Sequence, residues 1–254
     1  MTGLAATLAG LHVLVTRPAD QAESMCRLLL AHGAEVSRLP IQAIEAVRQP
    51  QQAARRLQQG RDALTWIFTS VNAVRFARQL DQGVWPGDCI AVGKATAAAL
   101  AQLGVTAVAP DDAQTSEGVL RLPLLDDVSG RRILLVTGEG GRQLMQSTLA
   151  ARGARVERVE VYRRVDLPHD AEAVANAVAA ADVALLTNGE SLRRLAELMP
   201  SARRPALLDL QLVVPSRRVV EQAARLGFKR SPLVPEQVSD TAYLKCLERW
   251  YAGT

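Results

Sequence analysis

Aromatic residues are scarce in this chain of 254 residues, which contains three each of Trp, Tyr and Phe. A core with so few aromatic rings must be built from Leu, Val, Ile and Ala, as is common in α/β proteins whose parallel sheets are covered on both faces. Apolar residues make up 48% of the chain, enough for a packed core. The length allows one large domain or two of ordinary size.

Metal-binding and cofactor-binding patterns are also lacking. Cys26, Cys89 and Cys246 lie far apart with no CxxC spacing, and the three histidines form no HxxxH pair. A zinc site or a disulfide framework is therefore not expected. The chain has no GxxxxGK[ST] loop, no GxGxxG after a strand and no GxSxG elbow. These absences predict a protein that uses no metal and no cofactor.

Long apolar runs and dense charge runs are missing as well. No apolar run reaches membrane-spanning length, and the start of the chain lacks the basic residues of a secretory signal, so we expect a cytoplasmic protein that binds no membrane. The net charge is a mild +4. Charge alone favours an ordinary solvated surface, with a polyanionic ligand as the alternative. No basic stripe carries interleaved aromatics, which counts against nucleic acid as a partner.

Short β-branched runs alternate with helical patterns along almost the whole chain. The predicted strands are His12–Thr16, Trp66–Thr69, Cys89–Val92, Arg132–Thr137, Val183–Thr187 and Leu212–Val214. The predicted helices are Ala22–Ala31, Ala73–Leu80, Ala95–Leu103, Leu144–Ala151, Leu192–Met199 and Val219–Leu226, and glycines at 33, 104, 153 and 227 mark four of their ends. This alternation predicts right-handed βαβ units and parallel sheets.

An internal repeat at a spacing of roughly 120 residues divides the chain into two similar halves. VLVTRPADQ from Val13 matches LLVTGEGGR from Leu134, and two further segments match in the same order. Two strand-like segments, Val36–Val47 and Arg155–Val165, each follow the first βα unit of a half. The prediction is two similar, flavodoxin-like parallel-sheet α/β domains: a discontinuous one of residues 1–38 plus 164–254, and an inserted one of residues 45–157. Residues 39–44 and 158–163 would form a two-stranded linker and hinge, and the cleft between the domains would be a preferred ligand site.

The turns after the predicted strands are rich in Ser, Thr, Asn and Gly. In an open parallel sheet such turns lie at the carboxyl edge, where helix N-termini attract anions. Each such residue taken singly is better explained as a helix N-cap. Six turns of this kind, four of which also carry Arg or Lys, favour an anion-binding site. The residues in question are Arg17, Ser70, Asn72, Lys94, Thr96, Gly141, Arg142, Thr187, Asn188, Ser216 and Arg217.

Tyr162 is the candidate catalytic residue. It lies in the second strand-like segment, close to the predicted junction of the domains. A tyrosine at an arbitrary position is more often a packing residue, but beside a cleft its phenol could donate a proton to a leaving hydroxyl. The acidic pairs Asp111-Asp112 and Asp126-Asp127 lie in loop-like stretches and are expected to be solvated. An enzyme of this layout would act mainly by binding and shaping its substrate.

Taken in order, these motifs resemble the uroporphyrinogen-III synthase family over essentially the whole chain. They are VLVTRP at Val13, FTSVNAV at Phe68, AVGKATAAAL at Ala91, SEGVL at Ser116, GEGGR at Gly138, VYRRV at Val161 and LLTNGESL at Leu185. The resemblance implies a lyase of tetrapyrrole (haem) biosynthesis. It would cyclise hydroxymethylbilane, a polycarboxylate, to uroporphyrinogen III, with loss of water, inversion of the last pyrrole ring and no cofactor.

The resemblance also implies roles for particular residues. Ser70, Lys94, Thr96, Gly141, Thr187 and Ser216 fall on the cleft-lining turns of the family, and Tyr162 falls on the tyrosine proposed to assist loss of the hydroxyl. Arg217 and Arg218 stand where the family often has a hydroxyl residue. A monomer is expected. The alternative is a two-lobed small-molecule binding or sensor protein, which would need no Tyr162 and would not turn over its ligand.

Overall fold

The computed structural model describes residues 6–85, 88–111 and 114–253, of which Asp88 is described by its backbone only. Two compact units make up the chain. Unit 1 comprises Met1–Ala43 and Val165–Thr254, and unit 2 comprises Ile44–Arg164. Each unit contains its own sheet with parallel strands and flanking helices, which confirms the predicted α/β fold class. The predicted domain limits and the linker of residues 39–44 and 158–163 stay predictions.

Unit 1 is built on a four-stranded parallel sheet with the order β10-β9-β1-β2. Its elements in chain order are β1 (His12–Val15), α1 (Ala19–Ala31), β2 (Glu35–Arg38), α7 (Ala171–Ala180), β9 (Val183–Leu185), α8 (Gly189–Leu198), α9 (Arg204–Asp209), β10 (Gln211–Val213), α10 (Arg217–Leu226) and α11 (Asp240–Tyr251). Successive residues of β1 point to opposite faces. Leu14 packs with α7 to α10, whereas Val13 and Val15 pack with α1 and α11.

Unit 2 holds most of a six-stranded sheet with the order β3-β8-β7-β4-β5-β6. Its elements are β3 (Gln42–Ala46), α2 (Pro50–Gln59), β4 (Thr65–Phe68), α3 (Val71–Leu80), β5 (Asp88–Ala91), α4 (Lys94–Ala101), β6 (Ala107–Val108), α5 (Ser116–Val119), β7 (Arg132–Gly138), α6 (Leu144–Ala151) and β8 (Arg155–Asp166). The strands from β8 to β6 pair in parallel. One face of the sheet packs on α2, α3 and α4, and the other on α5 and α6.

The internal repeat in the sequence corresponds to a repeat of topology. In unit 2 the order β5-β4-β7-β8 reproduces the order β10-β9-β1-β2 of unit 1. The four glycines predicted at helix ends have φ values of 87°, 75°, 86° and 90°, at Gly33, Gly104, Gly153 and Gly227. These values lie in the left-handed region, which costs glycine little, and explain why each helix ends there.

Some predicted bounds were wrong for identifiable reasons. Segment Val36–Val47 is two strands in two sheets, because the chain breaks at Leu39–Ile41, where Pro40 has no N–H to donate to a ladder. Most helices begin earlier than predicted, since the polar first turn carries no apolar periodicity. Helices α2, α5, α7, α9 and α11 were not predicted. Among the helices of the described residues, none is long and apolar enough to cross a bilayer.

Candidate active site

Tyr162 lies at the carboxyl edge of the unit 2 sheet because of a β-bulge. Thr137 pairs with Glu160, but the next residue, Gly138, pairs with Tyr162, so Val161 is the extra residue in β8. A bulge of this kind re-aims the side chain that follows it. The carbonyl of Tyr162 accepts a hydrogen bond from the N–H of Glu139 at 2.8 Å. Tyr162 is thereby held level with the end of β7.

The hydroxyl of Tyr162 contacts the start of helix α3. Ser70 caps this helix, since its Oγ accepts the N–H of Ala73 at 3.0 Å. The same Oγ donates to the Tyr162 hydroxyl at 3.2 Å. A serine hydroxyl both accepts and donates, so Ser70 caps the helix and contacts Tyr162 at the same time. Among the predicted site residues, Ser70 and Tyr162 are thus directly bonded.

The ring of Tyr162 is tightly enclosed, with 3% of the residue exposed. It stacks on Phe76 with ring centroids 6.0 Å apart. A Cβ placed on Gly138 would come within 2.5 Å of the ring carbon Cζ, so a larger residue fits opposite the ring only if the ring moves. The guanidinium of Arg164 lies 5.6 Å from the ring centroid and its Nη2 lies 3.4 Å from the hydroxyl. Tyr162 is therefore a packed residue whose polar end reaches the sheet edge.

The remaining predicted residues of unit 2 differ in exposure. Lys94 is exposed at the first residue of α4, where its charge lies beside the helix N-terminus. Asn72 and Gly141 are half-buried, in the first turn of α3 and in the turn after β7. Thr96, in contrast, is buried within the first turn of α4, so the structure does not present it as a contact residue.

Arg142 is exposed but is paired with Glu117 at 2.6 Å. The pKa of the Glu117 carboxyl is lowered chiefly by its hydrogen bond with its own backbone N–H at the start of α5, and further by Thr115 and Arg142. Both side chains of the pair are about half exposed, so this ion pair is worth little. A carboxylate ligand can therefore compete with Glu117 for Arg142.

The turns at the carboxyl edge of unit 1 carry the second group of predicted residues. Asn188 caps α8, with its Oδ1 accepting the N–H of Ser191 at 2.7 Å, and Thr187 before it is half-buried. Ser216 precedes α10 and is half-buried, but its side chain makes no capping bond. Arg217 is exposed at the first residue of α10.

Arg17 has a different environment from the one expected for a substrate contact. Its side chain is 10% exposed and bonds through Nη1 to Asp240 at the start of α11. Its guanidinium also lies 5.1 Å from the centroid of the Tyr243 ring, and burial raises the pKa of that phenol. Asp240 in turn accepts the hydroxyl of Ser24 at 2.6 Å. These contacts fit an arginine that ties α11 to the turn after β1.

Sequence reasoning missed Arg164, Gly138 and Phe76 as neighbours of Tyr162. Arg164 could have been found, because side chains two residues apart on a strand share a face. Gly138 and Phe76 depend on the strand order and on the bulge, neither of which the sequence shows. Within the described residues, no group of three or more His, Cys, Asp or Glu side chains is placed to hold a metal ion.

Comparison with known proteins assigns the family. The family model described as uroporphyrinogen-III synthase HemD matches residues 23–244. The chain is 34% identical to uroporphyrinogen-III synthase of Escherichia coli K12 over 93% of this chain and 99% of the relative, and 33% identical to that of Salmonella typhimurium over the same shares.

Solved structures of the same family share the fold. A mutant uroporphyrinogen III synthase from Thermus thermophilus superimposes with a TM-score of 0.67 at 22% identity, covering 96% of this chain and all of that one. The Helicobacter pylori protein gives a TM-score of 0.58 at 12% identity, with 96% of this chain and 100% of that one covered. On the match of the family model and the identity to curated relatives, this chain belongs to the uroporphyrinogen-III synthase family.

Proposed function

We propose that Tyr162 and the turns at the carboxyl edges of the two sheets carry the reaction of this family, the closure of hydroxymethylbilane to uroporphyrinogen III. The chain is a cyclising lyase of tetrapyrrole synthesis, as the family and its curated members indicate. The assignment of residues rests on one observation above all: the Tyr162 hydroxyl lies at a sheet edge, hydrogen-bonded to Ser70. No observation favours the alternative of a binding protein without turnover.

In this proposal, the N-termini of the helices at these edges bind the carboxylates of the substrate. Helices α3, α4, α8 and α10 each begin directly after a strand and a short turn. Their first N–H groups and macrodipoles favour anions. Lys94, Arg142 and Arg217 add exposed cations at or near three helix starts. Such contacts hold carboxylates equally well before and during reaction, so we expect them to lower KM rather than raise kcat.

Tyr162 serves the departure of the hydroxyl in this proposal. The phenol donates its proton as the bond between the methylene carbon and the hydroxyl oxygen breaks, and water leaves. The electron-deficient methylene carbon that remains is attacked by the substituted α-carbon of the last pyrrole ring, which gives a spiro intermediate. The bond from that α-carbon to the methylene bridge of the preceding ring then breaks, and the freed methylene carbon bonds to the other α-carbon of the last ring, which inverts that ring. That ring finally loses one proton, which restores the phenol, so the balance is loss of one water. Holding the two ends of the bilane together supplies the rest of the rate.

Replacement of Tyr162 by Phe tests this assignment. The ring and its packing stay, while the proton and the hydrogen bond to Ser70 are lost. General acid assistance contributes about 10²–10⁴-fold, and we expect a loss in kcat at the lower end or below, because the hydroxyl of this substrate also leaves spontaneously. The measurement is turnover of enzymatically generated hydroxymethylbilane with isomer analysis of the product.

A matched control is Tyr251→Phe, which removes a phenol hydroxyl from α11, where it donates to the carbonyl of Ala9. This variant should keep the native kcat and isomer ratio. A Tyr162→Phe enzyme with the native kcat and the native selectivity would reduce Tyr162 to a packing residue. The family and the fold would be unaffected by that result.

A further inference from the structure

We infer that Arg164 is a positioning residue that directs the proton of Tyr162 towards the substrate. This inference rests on the proposed role of Tyr162. Arg164 is exposed and lies on β8 two residues after Tyr162, hence on the same face. Its Nη2 lies 3.4 Å from the phenol oxygen and its guanidinium carbon 5.6 Å from the ring centroid. Sequence reasoning assigned this arginine no role.

The partners of the two neighbouring arginines differ. Arg163 forms an ion pair with Glu45 at 2.6 Å. Arg164 has no ion pair with a described acidic residue. Among the described side chains, its guanidinium is hydrogen-bonded to Tyr162. At 3.4 Å this bond is long, and an exposed arginine gains little stability from it. Its position next to the phenol is therefore better explained by an effect on Tyr162 than by stability.

The hydrogen bonds of the phenol determine what that effect is. A phenol oxygen accepts up to two hydrogen bonds and donates one. One bond is accepted from Ser70, whose Oγ itself accepts the Ala73 N–H through one of its two lone pairs. The other is accepted from Arg164, which can only donate. Arg164 can never accept the phenol proton, and while Ser70 donates to the phenol as it does in the structure, the proton points to neither group.

The proton must then point to a third group, and within the described residues the phenol donates to no acceptor. The substrate hydroxyl that leaves is an acceptor of the right kind. Arg164 thus removes the alternative in which the phenol proton turns away from the substrate, and it does so before the substrate binds. This is preorganisation of the donor, which lowers the barrier without adding a contact to the ground state.

The test compares Arg164→Met, Arg164→Lys and the matched control Arg155→Met in the full chain. Met keeps much of the apolar stem but donates nothing, and Lys restores one charged donor. Arg155 is exposed on the same strand at its opposite end, so its replacement makes the same change in charge far from Tyr162. We expect Arg164→Met to lower kcat roughly tenfold, the rate equivalent of one ordinary hydrogen bond, with KM changed by less than about twofold. Arg164→Lys should recover part of the loss, and Arg155→Met should match the native enzyme.

A double variant separates positioning from substrate binding. If Arg164 acts through the phenol, Arg164→Met should have no further effect on kcat in a Tyr162→Phe background. A native kcat in Arg164→Met would overturn the inference. So would a raised KM with native kcat, or a loss that is undiminished in the Phe background, since either makes Arg164 a carboxylate ligand. A Tyr162→Phe enzyme with native kcat refutes the proposed function itself, whereas a slow Tyr162→Phe enzyme beside a native Arg164→Met enzyme refutes this inference alone.

Discussion

Gly138 offers a way to displace Tyr162 without altering its chemistry. It is the last residue of β7 and lies against the tyrosine ring. A Cβ at this position would be 2.5 Å from Cζ, 2.7 Å from Cε2 and 2.9 Å from the hydroxyl oxygen of Tyr162. Ordinary contacts of a Cβ begin at 3.4 Å, so in Gly138→Ala the ring must retreat by about 1 Å. The backbone of Gly138 is not left-handed, so its φ does not strain an alanine, and the three atoms nearest to the added Cβ all belong to Tyr162.

The size of the effect follows from this displacement. Overpacking of a filled core costs about 1–3 kcal/mol of stability. The bond from Ser70 to the phenol is already 3.2 Å long, and a shift of this size takes it beyond hydrogen-bond distance or bends it severely. A misplacement of about 1 Å can cost up to 10²-fold in rate. We therefore expect Gly138→Ala to lower both the free energy of unfolding and kcat, with kcat approaching that of Tyr162→Phe, and to leave KM nearly unchanged.

Urea unfolding and steady-state turnover of hydroxymethylbilane measure the two effects. Gly253→Ala is the control, because a Cβ there makes ordinary contacts of 3.7 Å. Combining Gly138→Ala with Tyr162→Phe should give the same kcat as Tyr162→Phe alone, since the phenol proton is then already absent. A Gly138→Ala enzyme with reduced stability and native kcat would refute the reasoning, because it would show that the position of the phenol does not matter to the rate.

Three further predictions concern binding, stability and cofactors. Lys94→Ala should raise KM at constant kcat, and only by a few-fold, because the substrate keeps its other carboxylate contacts. Lys229→Ala, which removes a lysine paired with Asp209, should leave KM unchanged. An unchanged KM in Lys94→Ala would remove Lys94 from the site. Arg17→Met should lower the free energy of unfolding by about 1–3 kcal/mol, which is less than the loss of a partner in a fully buried ion pair costs, because Asp240 keeps its bond from Ser24. The exposed Arg27→Met should cost little. An unaltered stability together with a raised KM would mean that Arg17 binds the substrate. Dialysis against a chelator should leave turnover unchanged, and activity that is lost and then restored by a metal ion would contradict this.

The fold was largely predictable because it depends on local and repeated signals. Alternating apolar periods predicted the β/α order, and α6 has the bounds that its pattern indicates. The repeat predicted two similar sheets, which the strand orders confirm. Helix α2 was not predicted because its sequence is mostly Gln, Arg and Ala. Its buried residues, Ala53 and Leu57, form too weak an apolar stripe to indicate a helix.

The surroundings of the site residues were predictable only in part, because they depend on contacts distant in sequence. Thr96 and Arg17 follow strands as a contact residue should, but Thr96 faces the interior and Arg17 finds its carboxylate partner 223 residues away. A polar residue in a turn gives no sign of which way it faces. The bulge that orients Tyr162 is one extra residue in a strand of twelve, and no feature of VEVYRRV distinguishes it from regular pairing.

The two repeats differ in the features that surround the proposed catalytic tyrosine, which belongs to unit 2. The equivalents of β7 and β8 are β1 and β2, which pair in regular register from His12–Glu35 to Val15–Arg38. Strand β2 ends there, whereas β8 continues past the equivalent point through the bulge to Asp166. The extension holds both Tyr162 and Arg164. The glycine that admits the ring, Gly138, occurs in unit 2, and in VLVTRP the equivalent position is Arg17, whose side chain bonds to Asp240. The equivalent position thus holds an anchored arginine in unit 1 and, in unit 2, a glycine that leaves room for the ring of Tyr162. Gly138→Ala therefore tests whether this difference places the phenol for the reaction.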